Sequence, residues 1–95
     1  MSNEKALQED VPRVKIYSTG TCPICDKAKM LLSKWNIAYQ EIRIDQNHAG
    51  LREMAEITNG ARTVPQISID NSWIGGFSEL TELHMDGELD GLVSA

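Results

Sequence analysis

The sequence predicts a small α/β protein in which a mixed four-stranded sheet carries helices on both faces. Alternating polar and apolar residues indicate four short strands, and apolar residues at helical spacing indicate three helices. The predicted order is β-α-β-α-β-β-α. Strands joined by a helix are expected to run parallel with a right-handed crossover, whereas the last two strands should form an antiparallel hairpin. Helices on both faces then bury both sides of the sheet.

The first half of the chain begins with residues 1–12, which are expected to be a flexible lead-in to a domain over residues 13–95. The alternation in residues 13–17 predicts the first strand. Pro23 fits the first position of a helix that ends near Asn36. The apolar stripe of this helix consists of Ala28, Leu31, Leu32 and Trp35.

The middle of the chain repeats this strand and helix pattern. Residues 38–45 alternate again and predict the second strand. Asn47 suits the N-cap of the second helix, and Gly60 suits the position just past its end. The predicted buried stripe of this helix consists of Leu51, Met54, Ala55 and Thr58.

The last third of the chain predicts a hairpin and a final helix. Residues 65–69 form the third strand, which begins at a proline, and residues 72–74 form the short return strand. The Asp70-Asn71 pair between them is a hairpin turn signal. Gly75-Gly76 then breaks the chain, and Ser78 is expected to cap the last helix.

Composition and charge exclude several classes of function. The chain has 95 residues, 41% of them hydrophobic, and the sequence contains no apolar run of membrane-spanning length. Its net charge of -5 argues against nucleic acid as a partner. The charge is uneven, since residues 13–62 carry eight bases against five acids, while residues 63–95 carry six acids and no base. Its two cysteines are too few for a disulfide-stapled scaffold. We expect a cytoplasmic monomer with no secretory signal and no membrane partner.

The strongest chemical signal is Cys22-Pro-Ile-Cys25, which follows a strand and opens a helix. At a helix N-terminus the free N–H groups and the positive end of the dipole stabilise a thiolate, which would activate Cys22 as a nucleophile. Cys25 is close enough to form a disulfide with Cys22 and to resolve a mixed disulfide. The alternatives are inert core cysteines or a zinc site, for which His48 and His84 are the available further ligands but lack zinc-finger spacing.

Three segments together resemble the signature segments of dithiol glutaredoxins. They are Thr21-Cys-Pro-Ile-Cys25, Gly60-Ala-Arg-Thr-Val-Pro-Gln-Ile67 and Gly75-Gly-Phe-Ser-Glu-Leu80, and they occur in the same order and at similar spacing. The resemblance covers about residues 13–93. It implies a thioredoxin-like fold and glutathione-dependent reduction of disulfides, with Cys22 and Cys25 as the catalytic, redox-active pair.

The resemblance also implies a glutathione site. Its expected members are Thr21, Cys22, Ile24, Arg52, Arg62, Thr63, Val64, Pro65, Gly76, Phe77 and Ser78. In the family the bond before this proline is cis, and the backbone at Val64 pairs with the cysteine part of glutathione like a short added strand. Taken alone, Pro65 also fits the start of an edge strand.

Two carboxylates of glutathione need partners, and the resemblance implies where they bind. The γ-glutamyl carboxylate would meet the N–H groups of Phe77 and Ser78 at the start of the last helix. The glycine carboxylate would meet Arg52 or Arg62. Taken alone, Ser78 also fits an ordinary helix cap, and both arginines also fit solvated surface positions.

The sequence departs from the family pattern at two positions. Ile24 stands where many members carry an aromatic residue, and Thr19 stands where they usually carry a lysine that supports the thiolate and a glutathione carboxylate. Lys27 and Lys29 on the following helix are candidates to compensate for that lysine, and both also fit solvated positions.

The resulting hypothesis is an enzyme of cellular redox homeostasis and electron transport that reduces protein disulfides and protein–glutathione mixed disulfides. Its co-substrate is glutathione, its partners are disulfide-containing or glutathionylated proteins, and no metal is expected. Three alternatives remain. They are a redoxin reduced by thioredoxin reductase, a carrier of a glutathione-ligated iron–sulfur cluster, and a binding adaptor suggested only by the acidic last third. Pro23 argues against the cluster carrier, because the family's cluster binders often lack that proline.

Overall fold

The computed structural model describes residues 12–93, so the predicted lead-in lies almost wholly outside the described residues. The strands are β1 (Val14–Ser18), β2 (Tyr39–Arg43), β3 (Gln66–Ile69) and β4 (Ser72–Gly75). The helices are α1 (Pro23–Lys34), α2 (His48–Ile57), α3 (Phe77–Met85) and α4 (Leu89–Val93). The order matches the prediction, with the short α4 added at the end. None of the helices within residues 12–93 is long and apolar enough to span a membrane.

The sheet has the order β2-β1-β3-β4 and is mixed, as predicted. Strands β1 and β2 are parallel and are connected through α1, whereas β3 is antiparallel to both β1 and β4. The hairpin between β3 and β4 turns at Asp70 and Asn71, which both have positive φ angles, of 53° and 66°. Because two consecutive left-handed residues match the twist of a hairpin, this turn closes β3 onto β4 directly.

One face of the sheet holds the apolar core. Alternate residues of β1 and β3 point to this face, where α1, α3 and α4 cover them. The buried members of this cluster are Val14, Ile16, Ala28, Leu32, Ile37, Ile67, Ile69, Leu80 and Leu89. The core therefore fixes the start of α1 and the start of α3 relative to the sheet.

The opposite face of the sheet is more polar and is covered by α2. Tyr17 of β1 is buried, and its hydroxyl donates a hydrogen bond to the Glu53 carboxylate of α2. Burial and this bond raise the pKa of Tyr17. The Lys15 ammonium lies 3.3 Å from the same carboxylate. The contacts to α2 confirm that helices lie on both faces, which gives the predicted thioredoxin-like arrangement.

Two local predictions were wrong. In α2 the buried positions are Gly50, Met54 and the C-cap Thr58, whereas Leu51 and Ala55 are exposed. The helix lies against the sheet at Gly50, where an added Cβ would come within 2.5 Å of the Ile42 side chain, so the stripe that starts at this glycine faces inward.

The second error concerns the start of α3. Its N-cap is Gly76, and Ser78 lies inside the first turn. The Glu79 side chain reaches back, and its Oε1 accepts a hydrogen bond from the Gly76 N–H at 2.7 Å. Glu79 is the third residue of the helix, and its side chain satisfies the N–H of the N-cap residue. A serine at the N-cap is therefore unnecessary here.

Candidate active site

Cys22 is the N-cap residue of α1. Its backbone is extended, and its Sγ atom accepts a hydrogen bond from the Cys25 N–H at 3.1 Å. Pro23 follows as the first helical residue, where its missing N–H costs no hydrogen bond. The sulfur therefore sits at the positive end of the helix dipole, facing N–H groups that lack acceptors within the helix. This position favours the thiolate of the reduced protein.

The two cysteines differ in exposure and are joined by a disulfide. Cys22 is partly exposed, whereas Cys25 is fully buried beneath it. Their Cα atoms are 5.2 Å apart. An external thiol or disulfide can therefore reach Cys22 first, and Cys25 only through Cys22.

A second loop meets the cysteines at the residue before a buried proline. The Cys22 Sγ lies 3.8 Å from the Val64 carbonyl oxygen, and the Val64–Pro65 peptide bond is cis, as the resemblance implied. Gly76 lies directly behind this loop, since an added Cβ would come 3.2 Å from the Pro65 carbonyl oxygen. The cysteine motif, the proline loop and the start of α3 therefore meet at one place.

These three segments border a groove of about 560 Å³. Its lining residues are Ile24, Thr63, Val64, Pro65, Gln66, Trp73, Ile74, Gly75, Gly76, Phe77, Ser78 and Glu79. Among the residues that the structure describes, Glu79 is the one charged member of this lining. The groove is large enough for a small-molecule ligand.

Gln66 joins two sides of this groove. Its side-chain Nε2 donates to the Thr63 carbonyl oxygen at 3.1 Å and lies 3.2 Å from the Thr63 hydroxyl oxygen. Its Oε1 accepts a hydrogen bond from the indole N–H of Trp73 at 2.8 Å. The buried amide therefore holds the loop before Val64 against the β4 edge strand, and it fixes a tryptophan that is 43% exposed.

The start of α3 offers backbone N–H groups to the groove. Glu79 already accepts the Gly76 N–H, while Phe77 and Ser78 occupy the first two helical positions. The N–H groups of a first helical turn have no acceptor inside the helix. They can therefore receive an anion at the positive end of the α3 dipole.

The structure brings most of the predicted glutathione residues together, but not all of them. The predicted members that line the groove are Ile24, Thr63, Val64, Pro65, Gly76, Phe77 and Ser78. Cys22 is partly exposed and lies beside Val64 but outside the lining. Thr21, Arg52 and Arg62 are exposed and also lie outside the lining. Lys29 is engaged by two carboxylates, with its Nζ 2.9 Å from Glu41 and 3.4 Å from Asp26, so it is not a free substitute for a lysine at position 19.

Five lining residues were not predicted, and Gln66 and Trp73 are the most instructive of them. Gln66 directly follows Pro65 in the signature segment, and this position was a signal that it lies at the site. Trp73 pairs with Ser68 across the hairpin, and an irregularity between Ile67 and Ser68 shifts the register. Because a bulge of this kind changes which side chains are neighbours, the sequence pattern alone did not place the indole at the groove.

Within the described part of the chain, no group of three or more His, Cys, Asp or Glu residues is arranged to hold a metal ion. In the same part of the chain, the sulfur atoms of Cys22 and Cys25 are bonded to each other.

Comparison with known proteins agrees with this geometry. The glutaredoxin family model matches residues 14–74. Glutaredoxin 3 of Escherichia coli is 46% identical over 80 residues, which cover 84% of this chain and 95% of the relative. Glutaredoxin 1 of Rickettsia typhi is 43% identical over 79 residues, covering 82% of this chain and 76% of the relative.

Solved structures give the same result. A buckwheat glutaredoxin–glutathione complex superposes with a TM-score of 0.76 at 31% identity, covering 96% of this chain and 86% of that one. A dithiolic glutaredoxin from Trypanosoma brucei brucei gives a TM-score of 0.74 at 34% identity, with coverage of 86% and 87%. The chain therefore belongs to the glutaredoxin family, and it is a glutathione-dependent thiol–disulfide oxidoreductase.

Proposed function

We propose that Cys22 is the attacking nucleophile of this enzyme, that Cys25 is the resolving cysteine, and that the groove seats glutathione. The observation that carries this assignment is the contrast between the two sulfurs. Cys22 lies at the helix N-terminus and is accessible, while Cys25 is fully buried. A buried thiol cannot meet a protein substrate, but it can attack the neighbouring Cys22 sulfur.

Reduction of a protein–glutathione mixed disulfide needs only Cys22. Its thiolate attacks the glutathione sulfur, the disulfide to the protein breaks, and the protein leaves as a thiolate that takes up a proton. A second glutathione thiolate then attacks the glutathione sulfur bound to Cys22. The products are oxidised glutathione and the Cys22 thiolate, so two electrons pass from two glutathiones to the substrate.

Reduction of a protein disulfide uses both cysteines. Cys22 attacks one substrate sulfur and releases the other as a thiolate, and Cys25 then attacks the Cys22 sulfur and releases the reduced protein. This leaves the Cys22–Cys25 disulfide, which is the form present in the structure. One glutathione reopens it by bonding to Cys22, and a second removes the first as oxidised glutathione.

The proposed glutathione pose follows the groove. The cysteine part of glutathione pairs with the Val64 backbone, which the 3.8 Å separation from the Cys22 sulfur supports. Its γ-glutamyl carboxylate lies at the N–H groups of Phe77 and Ser78. The glycine carboxylate points towards Arg62 or Arg52, which act from outside the lining through their charge. Thr63 and Pro65 complete the proline side of this site.

The remaining proposed contacts lie at the rim of the site. Thr21, which is exposed and precedes Cys22, and Ile24, which is 50% exposed and lies between the two cysteines, are proposed to contact glutathione beside the sulfur. Gly76 allows the Pro65 loop to approach α3 closely. We further propose that residues 13–95 form the functional domain and that the enzyme works as a monomer in the reducing cytoplasm. Its protein substrates carry disulfides or bound glutathione, and the proposed cycle requires no metal.

The test is reduction of a small glutathione mixed disulfide, coupled to glutathione reductase, by Cys22→Ser and Cys25→Ser. We expect Cys22→Ser to lose activity by at least about 100-fold, because no other described thiol is accessible. Cys25→Ser should retain much of the activity, since the first route does not use Cys25. With a protein disulfide substrate, Cys25→Ser should instead accumulate a stable mixed disulfide.

Full activity of Cys22→Ser would contradict the assignment. Replacing glutathione and its reductase with thioredoxin reductase provides a second control. Turnover that is equally fast with thioredoxin reductase alone would contradict the proposed dependence on glutathione.

A further inference from the structure

The loop that precedes the nucleophile is held by an ion pair at the end of the neighbouring strand. Arg43 is the last residue of β2, and Asp45 lies two residues beyond it. The Nε of Arg43 donates to Asp45 Oδ1 at 2.9 Å, and its NH2 group donates to Oδ2, also at 2.9 Å. Two parallel bonds between a planar guanidinium and a carboxylate fix the relative orientation of both groups.

This pair contacts Gly20, which lies two residues before Cys22. The Asp45 Oδ2 atom accepts a hydrogen bond from the Gly20 N–H at 3.1 Å. The Arg43 head packs over the same glycine so closely that an added Cβ would collide with its terminal nitrogen and come 3.0 Å from its central carbon. The Gly20 backbone is therefore held at its N–H by one member of the pair and at its Cα by the other.

The held segment is short and leads directly to the reactive sulfur. Residues 19–21 connect the end of β1 to Cys22, and Ser18 at that end accepts a hydrogen bond from the Ile44 N–H at 3.0 Å. Because only Thr21 separates Gly20 from Cys22, a displacement at Gly20 changes where the Cys22 sulfur lies relative to the Cys25 N–H.

We propose that Arg43 and Asp45 are positioning residues for the nucleophile, acting together on Gly20 as a clasp that holds Cys22 over the helix N-terminus. This inference rests on the proposed role of Cys22 and extends it to residues that touch neither the sulfur nor the groove. The clasp acts on residues 19–21, the loop in which Thr19 stands where the family usually carries a lysine.

The clasp is present throughout the pH range of thiol chemistry. The bonds from Arg43, together with the N–H of Gly20, lower the pKa of Asp45 to about 2. Because a carboxylate with a lowered pKa stays ionised at every higher pH, Asp45 remains paired wherever Cys22 titrates. A change in the pH profile of a clasp variant therefore does not arise from titration of Asp45 in the parent enzyme.

The first test compares Asp45→Ala with a matched ion pair elsewhere. Arg13 and Asp70 also form an ion pair, in which the Nε and NH2 groups of the arginine both donate to the carboxylate. The exposure of the two arginines is similar. The pair lies at the start of β1 and the end of β3, away from the loop that leads to Cys22. We expect Asp45→Ala to raise the pKa of Cys22, measured from the pH dependence of its alkylation in the reduced protein. We also expect the turnover of a small glutathione mixed disulfide to fall about fivefold.

Arg13→Gln should leave the Cys22 pKa and the turnover at the parent values. Its effect on thermal stability should be small and similar to that of Asp45→Ala. Asp45→Asn should fall between Asp45→Ala and the parent, because its amide oxygen can still accept the Gly20 N–H but forms no ion pair. An unchanged Cys22 pKa in Asp45→Ala, or an equal change in Arg13→Gln, would overturn the proposal.

A second test changes Gly20, the loop residue that the clasp contacts. In the parent protein, Gly20→Ala should displace the Arg43 head, since the colliding atom is the end of a flexible side chain. In an Arg43→Ala background the added methyl meets no guanidinium, so the same substitution should have little further effect on Cys22 alkylation. Additive effects of the two substitutions would contradict a shared clasp.

Failure of the clasp proposal can be distinguished from failure of the proposed function. Activity in Cys22→Ser would remove Cys22 as the nucleophile, whatever the clasp variants do. An inactive Cys22→Ser combined with parent-like Asp45→Ala would remove the clasp alone.

Discussion

The two walls of the groove are built in different ways. The cysteine wall, residues 19–25, carries the reactive sulfur beside the groove and contributes Ile24 to its lining. Its Gly20 N–H donates a hydrogen bond to the Asp45 carboxylate, and its Cys25 N–H donates one to the Cys22 sulfur. The binding wall, residues 63–66 and 75–79, includes Glu79, the one charged lining residue within residues 12–93, and this side chain accepts a hydrogen bond from the Gly76 N–H. One wall thus fixes a single atom, and the other offers a surface of N–H and C=O groups.

This difference has a chemical reason. Disulfide exchange needs one sulfur with a stabilised charge and a defined line of attack. Recognition of a tripeptide needs several hydrogen bonds spaced along an extended chain, which backbone groups supply without a basic side chain. Changes to the cysteine wall should therefore alter reactivity, whereas changes to the binding wall should alter the KM for glutathione.

The largest effect expected on the binding wall comes from Gly75→Ala. Gly75 has a φ of 119°, and an added Cβ would lie 2.6 to 2.8 Å from three atoms of Glu79. The substitution should strain the backbone by about 1–2 kcal/mol and push Glu79 away from the Gly76 N–H. We expect the KM for glutathione to rise about tenfold while the alkylation rate of Cys22 stays unchanged.

Gly87→Ala is the matched control for this variant. Gly87 also has a positive φ, of 77°, but nothing lies within 4 Å of its added Cβ, and it follows α3 away from the groove. It should lose stability in thermal unfolding through the same backbone cost, with no change in KM. Equal KM values for Gly75→Ala and the parent enzyme would contradict the role given to the binding wall.

A smaller effect is expected from the arginines outside the lining. Arg62→Ala and Arg52→Ala should each raise the KM for glutathione by about twofold at low ionic strength, because exposed charges act weakly through water. The increase in KM should vanish at about 0.5 M salt, where the screening length is only a few ångströms. Lys34→Ala, which removes an exposed cation at the last turn of α1, is the control. A KM increase that persists at high salt would indicate direct contact instead of long-range attraction.

Much of the fold and half of the site were predictable from local patterns. The cysteine wall follows from a turn, a proline at the first helical position and two cysteines three residues apart, all of which act over a few residues. The hairpin turn at Asp70 and Asn71 was equally local. Such features depend on backbone preferences that the sequence carries directly.

The remaining features depend on contacts between distant elements. The buried stripe of α2 is shifted because Gly50 fits against Ile42, a contact that no helical periodicity encodes. Trp73 reaches the groove through a register irregularity and an amide on the neighbouring strand. The clasp joins residues that are more than 20 positions apart in the chain, with the Gly20–Asp45 bond as its contact to the loop. These contacts form only when the sheet is assembled, so local sequence patterns do not predict them.

The most direct test of the division between the two walls is an amide-resolved NMR comparison of the Cys25→Ser variant, free and with glutathione disulfide-bonded to Cys22. Glutathione held by both walls should shift the amide signals of Val64, Phe77 and Ser78 as well as those beside Cys22, because its backbone and carboxylate would contact those N–H groups. Shifts confined to residues 20–25, with parent-like signals at residues 63–66 and 76–78, would contradict the account.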